Sequence, residues 1–72
     1  MKRNRYIVEL VVLDPKIEAF HYYPVYSAKR YETARDVFHR CAAANSPVML
    51  SDRVTAQILA VSTALRRLRD TL

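Results

Sequence analysis

Residues 6–13, YIVELVVL, set the tightest limit on how this chain can fold. Tyr6, Val8, Leu10 and Val12 form one wholly apolar alternate set, and Ile7, Glu9, Val11 and Leu13 form a second that is nearly so. A strand of β-branched and aromatic residues with two apolar faces belongs in the centre of a sheet, partly covered on both sides. Asp14-Pro15-Lys16 then supplies the residues of a type I turn, and a second strand over 17–26 completes a β-hairpin. Pro24 has no N–H to give a ladder, which places that strand at the sheet edge. The turn does not set the hairpin register, and a slip of one residue exchanges the faces of Phe20, His21, Tyr22 and Tyr23. In either register Phe20, Tyr22, Tyr23 and Tyr26 carry more aromatic area than one thin sheet hides, so some of it is expected at the surface.

Ser27 suits the N-cap of a helix over 27–44, with Tyr31, Ala34, Val37, Phe38, Cys41 and Ala42 on one arc. Asn45-Ser46-Pro47 ends that helix, since Asn accepts the left-handed conformation and Pro does not continue a helix. Residues 48–50 read as a short third strand. Ser51 or Asp52 then caps a final helix over 51–72, in which Val54, Ile58, Val61, Leu65, Leu68 and Leu72 are spaced 4, 3, 4, 3 and 4. At about 100° per residue these six fall within roughly 80° of arc, a narrow seam suited to one partner helix. In a chain this short the seam reads as a homodimer contact. A competing reading makes 51–57 a turn and 57–61 a fourth strand, giving ββαββ. The β-branched residues permit it, but the helix formers Ala56, Gln57, Leu59, Ala60, Ala64 and Leu65 and the lack of glycine favour the helix. The expected fold is a single α+β domain of order ββαβα.

With 72 residues the chain buries only about 60% of the surface its unfolded form exposes, so it needs some further support. Its single cysteine, Cys41, forms no internal disulfide and suits a reducing cytoplasm, which leaves oligomerisation as the expected aid. No apolar run reaches the ~20 residues that span a bilayer. The basic start Met1-Lys2-Arg3-Asn4-Arg5 superficially resembles a signal peptide. The apolar run after it, however, holds Glu9 and stops at Asp14-Pro15 without a cleavage site.

The net charge of +5 favours anionic partners, either nucleic acid or an acidic protein surface. Lack of glycine excludes Gly-rich phosphate loops. His21, His39 and Cys41 do not have metal-ligand spacing, and the seven acids are scattered through turns, caps and helix surfaces. No catalytic, cofactor or metal residues are expected, and no enzyme.

Lys29 and Arg30, in the first turn of the helix capped by Ser27, oppose its dipole. An anion bound by them and the free N–H groups resolves the conflict, as does plain solvation of both side chains. Arg66, Arg67 and Arg69 lie where the dipole favours cations and point in three directions, unlike a major-groove recognition helix. Tyrosine and arginine are enriched both at protein hot spots and where single-stranded bases stack. Tyr22, Tyr23, Tyr26, Lys29 and Arg30 are therefore the candidate partner-binding residues. The first function reading is a protein-binding regulator or inhibitor, and the alternative is a small basic nucleic-acid-binding protein.

Tyr6-Ile7-Val8-Glu9 in the first strand, Ser27-Ala28-Lys29-Arg30 and the strand Val48-Met49-Leu50 together resemble small phage-encoded inhibitors of host machines, of the type I-F anti-CRISPR kind. The resemblance spans about half the chain in size and element order and carries no site residues with it. It implies an inhibitor acting by steric occlusion of a host protein, often on a nucleic-acid-binding surface.

Overall fold

The computed structural model describes residues 4–71. Its elements are β1 (Tyr6–Asp14), β2 (Ala19–Ala28), α1 (Tyr31–Ala43), β3 (Val48–Asp52), β4 (Gln57–Val61) and α2 (Thr63–Asp70). The strands form one antiparallel sheet of order β2-β1-β3-β4. β1 lies in its interior, as its two apolar faces require, and the strand containing Pro24 lies at an edge. The class is α+β, but the order is ββαββα rather than ββαβα. None of the described helices is long and apolar enough to cross a membrane.

Cross-strand pairing sorts the sheet into two faces. Val8 pairs with Leu50 and Leu10 with Val48, so these four share the face that α1 covers. There Ala34 and Phe38, one helical turn apart, pack with Val8, Ala28, Val48 and Leu50 into the main core. Burying each large member contributes about 1.5 to 3 kcal/mol, and the small Ala34 lets the helix approach the sheet closely. Ile7 and Val11 point to the opposite face, where α2 contributes the buried Leu65.

α1 starts three residues later than its composition suggests, with Arg30 at the N-cap position. Ser27 and Ala28 are the last residues of β2, and the Ser27 hydroxyl accepts a hydrogen bond from Asn4 Nδ2 at 3.0 Å instead of capping a helix. The other end of α1 is as expected. Asn45 has φ 62°, its N–H donates to the Ala42 carbonyl, and the Ser46 N–H donates to the Cys41 carbonyl, both at 3.0 Å. That pair of bonds is a Schellman ending with asparagine in the position glycine usually takes.

The last third departs most from expectation. Residues 51–61 are the end of β3, a turn and β4, so the six-residue seam does not exist as one helical stripe. Val54 lies in the turn, Ile58 and Val61 on β4, and Leu65 and Leu68 on α2, while Leu72 lies outside the described residues. The helix that made these residues a dimer contact is absent, and neither Ser51 nor Asp52 caps a helix.

The reason lies in a device used twice. Asp14 Oδ1 accepts from the Lys16 N–H at 3.0 Å, and Glu18, at the end of the turn, has φ 51°. Asp52 Oδ1 likewise accepts from the Val54 N–H at 2.9 Å, and Ala56 has φ 59°. Each aspartate folds its turn onto its own carboxylate, and a non-glycine residue takes the left-handed conformation at about 1 to 2 kcal/mol. Pairing β4 along β3 outweighs that cost and the weak helix preference of the segment.

α2 begins after Ser62, which is only 3% exposed. Its hydroxyl accepts from the Leu65 N–H at 3.2 Å as the helix cap, accepts from the Val48 N–H at 3.0 Å, and donates to the Ser46 carbonyl at 2.8 Å. Ser62→Ala loses a cap and leaves a buried N–H without a partner, so it is expected to destabilise the fold by about 2 to 4 kcal/mol in urea unfolding. Ala56→Gly acts in the opposite direction. It removes the left-handed penalty but adds unfolded-chain entropy, and a net gain of about 1 kcal/mol in the same measurement is expected.

Candidate interaction surface

The β1–β2 hairpin runs past the rest of the sheet. β1 pairs with β3 only from Tyr6 to Leu10, followed by one further bond from the Val11 N–H to the Pro47 carbonyl at 2.8 Å, whereas its pairing with β2 continues to Asp14. α1 has 13 residues, roughly 20 Å of helix, against a β2 of 10 residues, roughly 33 Å of strand. The distal part of the hairpin is therefore a ribbon without full cover on either face.

A bulge decides which aromatics occupy which face. Val8 pairs with Tyr26 but Glu9 pairs with Pro24, so Val25 is left without a partner and the alternation shifts. Tyr23, opposite Leu10, and Tyr26, opposite Val8, lie on the α1 side, where His21 and Tyr23 have ring centroids 6.4 Å apart. Tyr22, opposite Val11, and Phe20, opposite Leu13, lie on the other side. The three tyrosines expected to act together are thus divided between two faces.

Lys29 and Arg30 are exposed in the link between β2 and α1, Arg30 at the N-cap position with no side-chain cap bond. Neither lies within the first turn, where Glu32 supplies the negative charge that the dipole favours. The two cations still sit at the positive end of the helix, but just outside its first turn instead of within it. On the α1 face, Cys41 packs against the core and His39 is exposed, its ring 5.6 Å from that of Phe38.

The face opposite α1 is the more open of the two, because the eight-residue α2 covers only one end of it. Between α2 and the ribbon lies a groove of about 240 Å³, with buried Val11 and Leu65 at its base and Phe20, Tyr22, Ile58 and Arg69 around it. Tyr22 is 52% exposed and Ile58 61%. At Met49 and Ile58 the groove meets a shallower concavity of about 740 Å³ that reaches Glu9, Ser51, Arg5 and Arg53. Beside α2, Arg66, Arg69 and Asp70 line a third depression of about 350 Å³. Arg66 and Arg69, three residues apart, share one side of the helix instead of diverging. The i,i+3 spacing gives that grouping in any helix, the expected long one included, so it was open to the sequence. The contribution of Phe20, Met49 and Arg69 to a common groove left no local mark in the sequence.

The far end of the open face is held by an ion pair. Arg5 Nε donates to both carboxylate oxygens of Asp52 at 3.1 Å, and its Nη2 donates to Oδ2 at 2.8 Å. Hydrogen bonding from Arg5 outweighs burial and, with the Val54 N–H, holds the Asp52 carboxyl at about 2 against an ordinary 3.8. A depressed carboxyl pKa stabilises the fold fully above the unfolded value, and this stabilisation is lost as pH falls through the folded one. Wild-type unfolding free energy should therefore drop between pH 3.8 and 2 more steeply than that of Asp52→Asn, which keeps an acceptor for Val54 but no charge. Parallel pH profiles for the two proteins would show that the ion pair contributes nothing.

No protein-family model matches the chain, and neither a curated protein nor a solved structure shows significant similarity to it.

Proposed function

We propose that this chain is a non-enzymatic protein-binding module that acts by occupying a partner's surface with the sheet face opposite α1. The observation that carries this reading is the pairing of Tyr22, 52% exposed, with Ile58, 61% exposed, around one groove on a strand scaffold. Neighbouring bulky apolar side chains left in water favour burial against another protein, and tyrosine with arginine is the usual composition of an interface hot spot. Hydrogen bonds through Ser62 and through Arg5–Asp52 tie down both ends of this face, which lowers the ordering entropy that opposes binding.

Nucleic-acid binding has one observation in its favour: Tyr22 and Arg69 border the same groove, as an aromatic and a cation do where a base stacks. The rest of that groove adds one more aromatic ring, Phe20, but is otherwise apolar and non-aromatic, from Val11, Met49, Ile58, Val61 and Leu65, and Arg69 is its one charged group for a phosphate. The balance favours a protein.

Affinity capture from a lysate, in parallel with and without nuclease treatment, tests this reading. A defined protein should be retained at both about 50 and about 200 mM salt, since apolar contacts respond weakly to salt while phosphate contacts weaken by orders of magnitude. Tyr22→Ala should weaken retention by about 2 kcal/mol or more with thermal stability unchanged, and Tyr23→Ala, on the other face, should not. Recovery of nucleic acid alone, lost between those salt concentrations, would refute the proposal.

A further inference from the structure

Resting on the protein-binding reading, we infer that the groove between the β1–β2 ribbon and α2 receives one bulky apolar side chain from an extended acidic segment of the partner, whose carboxylates meet Arg66 and Arg69.

The size of the groove argues for a side chain. At about 240 Å³ it falls below the roughly 300 to 1,000 Å³ typical of small-molecule sites. Its base is apolar and its one charged lining residue is Arg69, which also borders the depression shared by Arg66 and Asp70. An apolar group seated in the groove therefore has guanidinium groups to one side. α2 carries three arginines and one acid, and none of the arginines has an ion-pair partner among the described residues. Carboxylates meeting this end of the groove form charge-assisted, bidentate contacts that arginine favours.

The opposite end gives the segment a direction. Beyond Met49 and Ile58 the concavity contains Glu9 and Arg53, neither with an ion-pair partner among the described residues, and the paired Arg5 and Asp52, so its charges cancel. Beside α2, by contrast, Arg66, Arg69 and Asp70 leave a surplus of positive charge. The acidic residues accordingly lie on the α2 side of the apolar anchor. A second copy of this protein fits poorly. Each chain carries +5, and α2 itself offers only Asp70 to another copy's arginines.

Panning a randomised peptide library on the immobilised full chain tests this assignment. Selected peptides should share a bulky apolar residue flanked on one side by aspartate or glutamate. In amide NMR titrations they should perturb Phe20, Tyr22, Leu65 and Arg69 saturably. Arg69→Glu, and separately replacement of the peptide's apolar residue by alanine, should each weaken binding about tenfold or more. Ile58→Glu, at an exposed strand position that spares the fold, should also weaken it. A basic or uncharged consensus, no enrichment, or perturbation centred on Tyr23 and Tyr26 overturns the inference. Sedimentation showing that wild-type chains occupy the groove by dimerising does so too. Capture of a protein partner unaffected by Arg69→Glu overturns this inference while leaving the protein-binding reading in place. A single-stranded oligonucleotide that binds the same amides more tightly than the peptides overturns both.

Discussion

The Ser62 hydroxyl is the point at which four parts of the chain meet. It joins the loop after α1 through Ser46, the start of β3 through Val48, the end of β4 through its own backbone, and the first turn of α2 through Leu65. A small domain has few large side chains to bury, and here the core has to be supplemented by polar groups whose bonds are fully made. Asp52 is the counterpart at the other end of β3, where it joins the segment before β1 to the β3–β4 turn. A five-residue strand is thereby held at both ends by buried polar side chains. Its position in turn sets where α2 lies over the open face.

The two faces of the sheet divide the work. On the α1 side, Val8, Leu50 and Phe38 are sealed from solvent and supply most of the burial. On the other, Ile7, Val11 and Leu65 are buried while Tyr22 and Ile58, beside them, remain in water. A longer α2 would cover the groove and add stability at the expense of the exposed apolar surface.

Which parts of this arrangement were legible depends on whether a local pattern had one solution. The doubly apolar β1, the edge position of Pro24 and the asparagine that ends α1 each had one. Ile58, Val61, Leu65 and Leu68 had two, because a short strand followed by a short helix reproduces the spacing of a continuous helical seam. Lack of glycine misled for a physical reason: left-handed conformations are costly for other residues but not forbidden, and Glu18 and Ala56 adopt them. The parallel between Asp14-Pro15-Lys16 and Asp52-Arg53-Val54 was the available clue to the second hairpin, and the missing proline obscured it. For the site, the excess of aromatic area was legible. The division of Tyr22 from Tyr23 and Tyr26 depends on a bulge at Val25 that no local pattern marks, and the groove beside Arg69 depends on a helix placed by Ser62.

The pairing in the middle of the sheet also sets the order in which the protein folds. The two hairpins close across adjacent turns and α1 is local by nature, and elements of these kinds close on a scale of microseconds. The β1–β3 ladder instead joins Tyr6 to Asp52 and Leu10 to Val48, across the whole of β2 and α1. Closing that distance is the slow, entropically costly search in folding. Until it ends, the inner edge of β1 has its backbone groups unpaired and its apolar side chains bare, a ready template for the same edge of another chain. The surplus of positive charge then keeps newly made chains apart by mutual repulsion during the interval when they are most prone to join.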